Sequence, residues 1–250
     1  MKPAFKAITS MAAKNLRLTV VYDNNPYKAG LATSWGFACV VKGSEKTILF
    51  DTGGTSAVLL ANMQQLGIDP KEIDIVVLSH MHGDHVGGLD GFLKQNSQVT
   101  IYLPAAFATE LQASLSHAGV KVIGVDDPVM ICSGVYSTGI LGSWIKEQAL
   151  MISTTTGTIV ITGCAHPGIV HILKLAQKLI EDKILLVMGG FHLGAESKPK
   201  LEEIISDFKR LGVERVGPCH CSGDPARSMF KQAYGNAYIN VGVGRLIELP

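Results

Sequence analysis

The chain has 250 residues, of which 47% are hydrophobic and 17% are charged. This composition is typical of a well-packed globular protein and excludes a disordered chain. Lys and Arg together number 22 and Asp and Glu 21, so no broad charged surface is indicated. We therefore expect a small-molecule substrate as the partner, with no nucleic acid and no membrane.

Location is predicted from what the sequence lacks. No segment reaches the roughly 18 uninterrupted apolar residues of a membrane helix, and residues 1–16 lack the apolar run of a secretory signal. The five cysteines, an odd number, are scattered along the chain, which does not suit a disulfide framework. We expect reduced thiols and a cytoplasmic protein.

Hydrophobic periodicity predicts an antiparallel start followed by alternating strands and helices. Strands are predicted over 16–22, 36–41, 46–50, 73–79, 99–103, 184–190, 214–220 and 237–244. A β-rich passage over 129–161 contains a hairpin that turns at Gly157. Helices are predicted over 56–68, 89–96, 105–119, 168–182, 200–212 and 224–235. Since each half begins with antiparallel strands and no flexible linker separates them, we expect two sheets that share one core between outer helices.

The unusual polar residues directly follow predicted strands. Asp51 comes after the third strand and the segment 79–85 after the fourth. Later strands are followed by Cys164 with His166, by His192 and by His220. Because α/β proteins present their chemistry at strand ends, these five strand ends indicate one shared site.

Four coordinating side chains lie within six residues, namely His80, His82, Asp84 and His85. In an extended segment His80 and His82 project to the same side, so both can bind one ion. Gly83 lets the chain turn, and Asp84 and His85 can then reach a second ion. Imidazole and carboxylate suit zinc, iron or manganese, and a catalytic site leaves a position open for water. The alternative, a solvated polar loop, does not explain such crowding.

Several motifs carry a resemblance to a known family. The segment SHMHGDH (79–85) resembles the HxHxDH signature of the metallo-β-lactamase superfamily, and LFDTGG (49–54) is similar to its strand and Asp-Thr-Gly turn. TGCAHPGI (162–169), GGFHL (189–193) and GPCHCSG (217–223) resemble the branch related to dihydropterin ribofuranosylaminobenzene phosphate synthases. The resemblance covers essentially the whole chain.

The resemblance implies an α/β fold, the αββα sandwich, as a single metallo-β-lactamase-like domain over residues 1–250. In that fold two mixed β-sheets pack face to face, with helices on both outer faces. It also implies two metal ions. His80, His82 and one later histidine would bind the first ion, and Asp84, His85 and His220 the second. We expect divalent transition metals, with zinc as the first choice and manganese or iron as alternatives.

This chain departs from the family pattern at two ligands. The usual Gly-His-Thr turn is replaced by VYSTGIL (135–141), and Gly163-Cys164 replaces the Gly-Asp turn whose carboxylate bridges the ions. His166 is the candidate for the missing ligand, with His192 as the alternative. Cys164 either binds an ion as a thiolate or packs as a small buried residue. Without a bridging carboxylate, we expect one ion to be held firmly and the other weakly.

Other polar residues receive supporting assignments. Asp51 is expected to hydrogen-bond a ligand histidine and fix its tautomer. His192, beside two glycines, is expected to contact substrate or a metal ligand. Trp35 either lines the pocket mouth or belongs to the core. His117 and His171, inside predicted helices, are interpreted as ordinary surface or packing residues.

A closed structural zinc site is an alternative that the cysteines raise. It would combine Cys164, Cys219 and Cys221 with a histidine. The expected geometry argues against it, because Cys219 and Cys221 face away from His220 in an extended segment, and no CxxC spacing is present.

The predicted function is metal-dependent hydrolysis by a metal-activated water. Asp84 and His192 are the predicted catalytic residues, Asp84 because it can orient that water or accept its proton. The branch resemblance implies a phosphate-bearing small molecule such as a nucleotide, pterin or cyclic phosphodiester. Alternatives are a thioester hydrolase of the glyoxalase type, a di-iron oxygen or nitric oxide reductase, and a metal-binding sensor without catalysis. The reductase is disfavoured because the bridging carboxylate is missing.

Overall fold

The computed structural model describes residues 15–115 and 119–249. The expectations for residues 1–14 and for His117 fall outside these residues. The described strands are β1 (Leu16–Asp23), β2 (Phe37–Lys42), β3 (Ile48–Phe50), β4 (Ile75–Val77), β5 (Thr100–Pro104), β6 (Lys121–Val125), β7 (Val129–Cys132), β8 (Val135–Ser137), β9 (Leu150–Thr154), β10 (Gly157–Thr162), β11 (Ile184–Gly190), β12 (Arg215–Cys219) and β13 (Leu246–Leu249). The α-helices are α1 (Ser56–Gln65), α2 (Gly83–Val86), α3 (Leu89–Gln95), α4 (Ala108–Ser114), α5 (Ile169–Ile180), α6 (Lys198–Arg210) and α7 (Asp224–Tyr234).

The strands form two mixed sheets. One has the order β13-β1-β2-β3-β4-β5-β6, and the other has the order β12-β11-β10-β9-β8-β7. In the first sheet β13, β1, β2 and β3 are antiparallel neighbours, and β3 to β6 run parallel. In the second, β7 to β10 are antiparallel and β10 to β12 run parallel. The predicted order within each half, antiparallel first and parallel afterwards, is confirmed.

The two sheets share an apolar core because their strands alternate. Along β10, Ile159 and Ile161 belong to the cluster between the sheets, whereas Val160 packs with the helices outside. In β4, Val77 lies between the sheets and Val76 lies beneath the helices of the other outer face. This is the two-residue period of a strand, applied to strands that are buried on both faces.

The outer layers are amphipathic helices. On one face α1 and α3 bury side chains such as Leu59 and Phe92 against the first sheet. On the other, α5, α6 and α7 bury Leu173, Phe208 and Phe230 against the second sheet. Each fully buried side chain of this size contributes about 1.5–3 kcal/mol relative to exposure. The αββα sandwich is therefore confirmed, while one domain over the whole of 1–250 stays a prediction.

Two expectations about the strands are wrong. The segment 237–244 is not a strand: it makes single bridges, of Tyr238 with Val216 and of Val243 with Pro26. A Cβ at Gly242 would lie 2.6 Å from the carbonyl oxygen of Asn25, so this segment packs directly on backbone. The last strand is instead β13, which pairs with β1. The second error is β6, which the sequence analysis did not identify because this sheet-edge strand is only partly buried.

Smaller differences concern a helix and a turn. The helix predicted from residue 105 begins as a 3-10 turn, and α4 follows it and ends at Ser114. The β9–β10 hairpin turns at Thr155 and Thr156, and Gly157 is already the first residue of β10. Among the described residues, no helix has the length and apolar character needed to cross a membrane.

Candidate metal centre

The predicted site residues come from five loops, each of which follows a strand. Asp51 follows β3, the segment 80–85 follows β4, Cys164 follows β10, His192 follows β11 and His220 follows β12. Strands of both sheets thus deliver polar side chains to one place, as expected from the sequence. The fold brings most of these residues together in three groups, two of which share Cys164.

The first group is the histidine triad, defined as His80, His82 and His166. Their ligand atoms lie within 4.8 Å of one another. The ring centroid of His80 is 4.6 Å from that of His82, and both are 4.9 Å from that of His166. His80 is buried, whereas His82 is exposed and extended in backbone. The triad contains the predicted ligands of the first ion, with His166 in the third place.

The second group is the acidic group, defined as Asp84, His85, Cys164 and His220. The single turn of α2 presents Asp84 and His85 together. The Oδ2 atom of Asp84 lies 3.2 Å from His220 Nε2 and 3.5 Å from His85 Nε2. The sulfur of Cys164 lies 3.2 Å from His85 Nε2. Cys164 is buried, yet its sulfur is within reach of the same position as the three predicted ligands.

Asp51 orients one histidine in each of these two groups, His85 directly and His80 through Ser79. Its buried carboxylate accepts the backbone N–H of Ser79 at 2.7 Å, the Ser79 hydroxyl at 2.8 Å and the Nδ1–H of His85 at 2.7 Å. The Ser79 oxygen in turn lies 2.9 Å from Nδ1 of His80, from which it accepts. Gly163 is needed here, because a Cβ would lie 2.1 Å from that oxygen. The expected contact of Asp51 with a ligand histidine is present.

The remaining ring nitrogens show that the site suits metal ions. His220 is oriented by Asn24, whose Oδ1 lies 2.9 Å from Nδ1. The Nε2 atoms of His80 and His166 are buried without any hydrogen-bond partner, and that of His220 faces only the Asp84 carboxylate at 3.2 Å. An unpartnered buried nitrogen costs about 1–3 kcal/mol, and coordination to a divalent ion would satisfy each one. The donor set of imidazole, carboxylate and thiol suits zinc or iron.

The electrostatics keep His80, His166 and Asp84 in the forms that bind metal. Burial, together with neighbouring histidines, holds the pKa of His80 far below its usual value. Burial and the adjacent His192 lower the pKa of His166 to about 4. Burial alone would raise the pKa of Asp84, but His220 and the other nearby imidazole outweigh it and lower that pKa. Neutral imidazoles and an ionised carboxylate are the protonation states that coordination requires. Against the effect of burial, the Asp51 carboxylate raises the pKa of His85, and the neighbouring Cys221 together with burial raises that of Cys164, so an ion would have to displace a proton from each.

Glu147 is a site residue that the sequence analysis missed. Its buried carboxylate accepts the backbone N–H groups of Cys164, Ala165 and His166 at 2.9, 2.7 and 2.8 Å. The loop that carries two candidate ligands is therefore fixed by one side chain. The only signal in the sequence is a single acidic residue shortly before a buried strand, which indicates nothing about partners 17–19 residues away.

The third group is the cysteine group, defined as Cys164, His192 and Cys221, with ligand atoms within 4.8 Å of one another. The closed zinc site considered from the sequence combined Cys164 and Cys221 with Cys219 and a histidine, but Cys219 is fully buried beside Asp23 and belongs to none of the three groups. The segment is also not extended there: a 3-10 turn over His220–Ser222 directs Cys221 towards Cys164.

Strained backbone is concentrated at this centre. Asp51, Ala165, His192 and His220 have φ values of 57°, 64°, 53° and 47°. A left-handed conformation costs about 1–3 kcal/mol at a non-glycine residue and persists where the surroundings fix it. Three of these residues carry side chains of the site, so the strain serves to aim them.

A cleft of about 400 Å³ adjoins the centre. His166 and His192 line it, and Phe191, His171 and Lys174 are among the other lining residues. His171, interpreted from sequence as an ordinary residue, is thus exposed to this cleft. Trp35 is 58% exposed and its ring lies 4.8 Å from that of His220. Trp35 therefore lines the mouth of the centre, and its assignment to the core is wrong.

Comparison with known proteins identifies the class. The model of the metallo-beta-lactamase superfamily matches residues 36–173. The crystal structure of a metal-dependent hydrolase of the beta-lactamase superfamily is similar to this chain with a TM-score of 0.80 and 29% identity, and the match covers 94% of this chain and 99% of that one. The chain belongs to the metallo-β-lactamase superfamily.

Similarity to named relatives identifies the branch of the superfamily that this chain resembles. The 7,8-dihydropterin-6-methyl-4-(beta-D-ribofuranosyl)-aminobenzene-5'-phosphate synthase of Methanocaldococcus jannaschii is 29% identical, over 90% of this chain and 92% of its own length. A ribonuclease Z of Ligilactobacillus salivarius is 36% identical, but over only 31% of this chain and 26% of its own length. The predicted resemblance to the dihydropterin synthase branch is confirmed.

Proposed function

We propose that the chain is a metal-dependent hydrolase of a phosphate-bearing small molecule. The observation that carries this proposal is the set of unpartnered, buried Nε2 atoms that converge beside a partly exposed carboxylate, Asp84. The histidine triad would hold one ion and the acidic group a second. Zinc is the metal we propose, and the triad, with three histidines, would bind it more firmly than the acidic group.

Divalent ions bound there would supply Lewis acidity and lower the pKa of a bound water towards neutrality. Asp84 is the residue placed to act with them. Its lowered pKa keeps it ionised, so it can orient a water by accepting a hydrogen bond. His192 is exposed at the edge of the cleft and would contact the substrate.

A phosphate-bearing substrate is supported by the cleft beside the centre. Its volume of about 400 Å³ falls within the range of small-molecule sites, roughly 300–1,000 Å³. Lys174 and Lys200 line it and can attract an anion, but Glu196 and Asp207 line it as well, and Lys200 is paired with Glu203 at 2.9 Å. The M. jannaschii relative is named for a product with a 5'-phosphate, and ribonuclease Z for action on RNA.

The proposal is tested by a panel of chromogenic phosphodiesters, phosphomonoesters and thioesters with added zinc, manganese or iron. We expect phosphate-ester hydrolysis that falls at least about a hundredfold in Asp84→Asn, the lower range for loss of a general acid or base. Asp90→Asn, at an exposed position in α3, is the matched control and should keep the wild-type rate. Turnover that needs no metal, or that survives Asp84→Asn, would contradict the proposal.

A second candidate is a synthase reaction of the kind named for the M. jannaschii relative, which is favoured by 29% identity over 90% of this chain. Thioester cleavage without phosphate-ester cleavage in the panel would instead favour the glyoxalase type, and metal binding without any turnover would favour a sensor.

We also propose a cytoplasmic location, because all five cysteines are free thiols, as expected in a reducing compartment.

A further inference from the structure

The cysteine group lies next to the two groups that the proposed hydrolase uses. Cys164, His192 and Cys221 are supplied by three separate loops, which follow β10, β11 and β12. His192 and Cys221 belong to neither the histidine triad nor the acidic group. We propose that the cysteine group is a third metal position, which binds a thiophilic divalent ion such as Zn²⁺ or Fe²⁺.

The ligand atoms of the cysteine group determine which ion it would bind. Two cysteines and one histidine form the ligand combination of zinc centres that keep a fourth position open. The thiolate of Cys221, with that of Cys164, which the acidic group shares, offsets the charge of a divalent ion, so the loaded group tolerates partial burial. Thiolates select zinc or iron over magnesium and calcium, which take oxygen ligands.

The backbone is constrained so that the ligands meet. His192 has a φ of 53°, and His220, directly before Cys221, has a φ of 47°. Both values are costly for residues other than glycine. Beneath the group, a Cβ at Gly190 would lie 2.7 Å from the sulfur of Cys221. The chain therefore maintains two strained residues and one obligatory glycine where these side chains approach Cys164.

The position of the group relates it to the cleft. The ring centroid of His192 lies 4.3 Å from that of His166, and both residues line the cleft. Cys164 also reaches the acidic group, since its sulfur lies 3.2 Å from His85 Nε2. A third ion would thus lie between the acidic group and the cleft.

Titration of the metal-free protein with Co²⁺ in a non-thiol reductant tests this proposal, because thiolate-bound Co²⁺ absorbs in the near ultraviolet. Wild type should bind one equivalent more than Cys221→Ser, and the variant should lose part of the thiolate absorption. His192→Asn should lose the same equivalent, and asparagine tolerates the left-handed backbone at that position. Cys132→Ser, on β7 and outside all three groups, is the control that should match wild type.

Alkylation of the wild-type protein provides a readout that needs no variant. Iodoacetamide modification of Cys221, followed by mass spectrometry, should be slowed by Co²⁺, because a coordinated thiolate no longer attacks. Equal Co²⁺ stoichiometry and spectra in wild type and Cys221→Ser, or alkylation of Cys221 at the same rate with and without Co²⁺, would overturn the third position. Both readouts measure metal binding and neither measures turnover. Their outcome therefore does not depend on whether the chain is a hydrolase.

Discussion

Glu147→Gln tests whether one buried carboxylate holds the loop that carries Cys164 and His166. Oε1 of Glu147 accepts the N–H groups of Cys164 and Ala165 at 2.9 and 2.7 Å, and Oε2 accepts that of His166 at 2.8 Å. Glutamine keeps the shape but replaces one oxygen by an NH₂ group, which donates and cannot accept. At least one of the three backbone N–H groups then loses its partner inside the protein.

The expected fall in the free energy of unfolding follows from these three hydrogen bonds. Leaving one buried donor unpaired costs about 1–3 kcal/mol. The two bonds that remain lose their charge assistance, at about 1 kcal/mol each. Burial raises the pKa of Glu147, so removing the charge returns part of its desolvation cost. From a gross loss of about 3–5 kcal/mol, we expect a net fall of about 2–3 kcal/mol in the free energy of unfolding.

The assay is urea unfolding of the metal-free protein, followed by circular dichroism. Glu202→Gln is the matched control, because Glu202 is exposed on α6 and only 3.9 Å from Lys198 in a surface ion pair. Its loss should stay within about 0.5 kcal/mol. Metal affinity of the histidine triad should also fall in Glu147→Gln, since His166 lies in the released loop. Equal stabilities for the two variants would refute the reasoning.

Three further predictions concern the supports of the centre and the core. Asp51→Asn should weaken metal binding about 10–100-fold, the range for loss of a group that orients a ligand such as His85, and unchanged affinity in a chelator competition would exclude that role. Asn24→Ala removes the acceptor for Nδ1 of His220 and should lower affinity about tenfold at the acidic group alone, so equal losses at both groups in a metal titration would count against it. Phe208→Ala should cost about 3–5 kcal/mol of unfolding free energy, because the ring is fully buried 5.0 and 5.7 Å from two other phenylalanine rings. A measured loss below about 1 kcal/mol would contradict its place in the core.

The sequence by itself determined the layers of this fold and one half of the centre. Short apolar runs such as Ile159, Val160 and Ile161 in β10, alternating along the chain with helical patterns, predict strands that are buried on both faces between outer helices. The crowding of His80, His82, Asp84 and His85 is equally local, because the four side chains lie within six residues. Patterns of this kind need no knowledge of which strands become neighbours.

Only the tertiary structure decided what supports that centre and what stands beside it. Asn24 and His220 are 196 residues apart, and Cys164 meets Cys221 only because β10, β11 and β12 are consecutive neighbours in one sheet. Glu147 binds backbone N–H groups, which every residue but proline possesses, so no pattern of side chains marks its partners. Periodicity fixes the face on which a side chain lies. The long-range order of the strands decides which loops meet, and that order follows from burying both sheets at once.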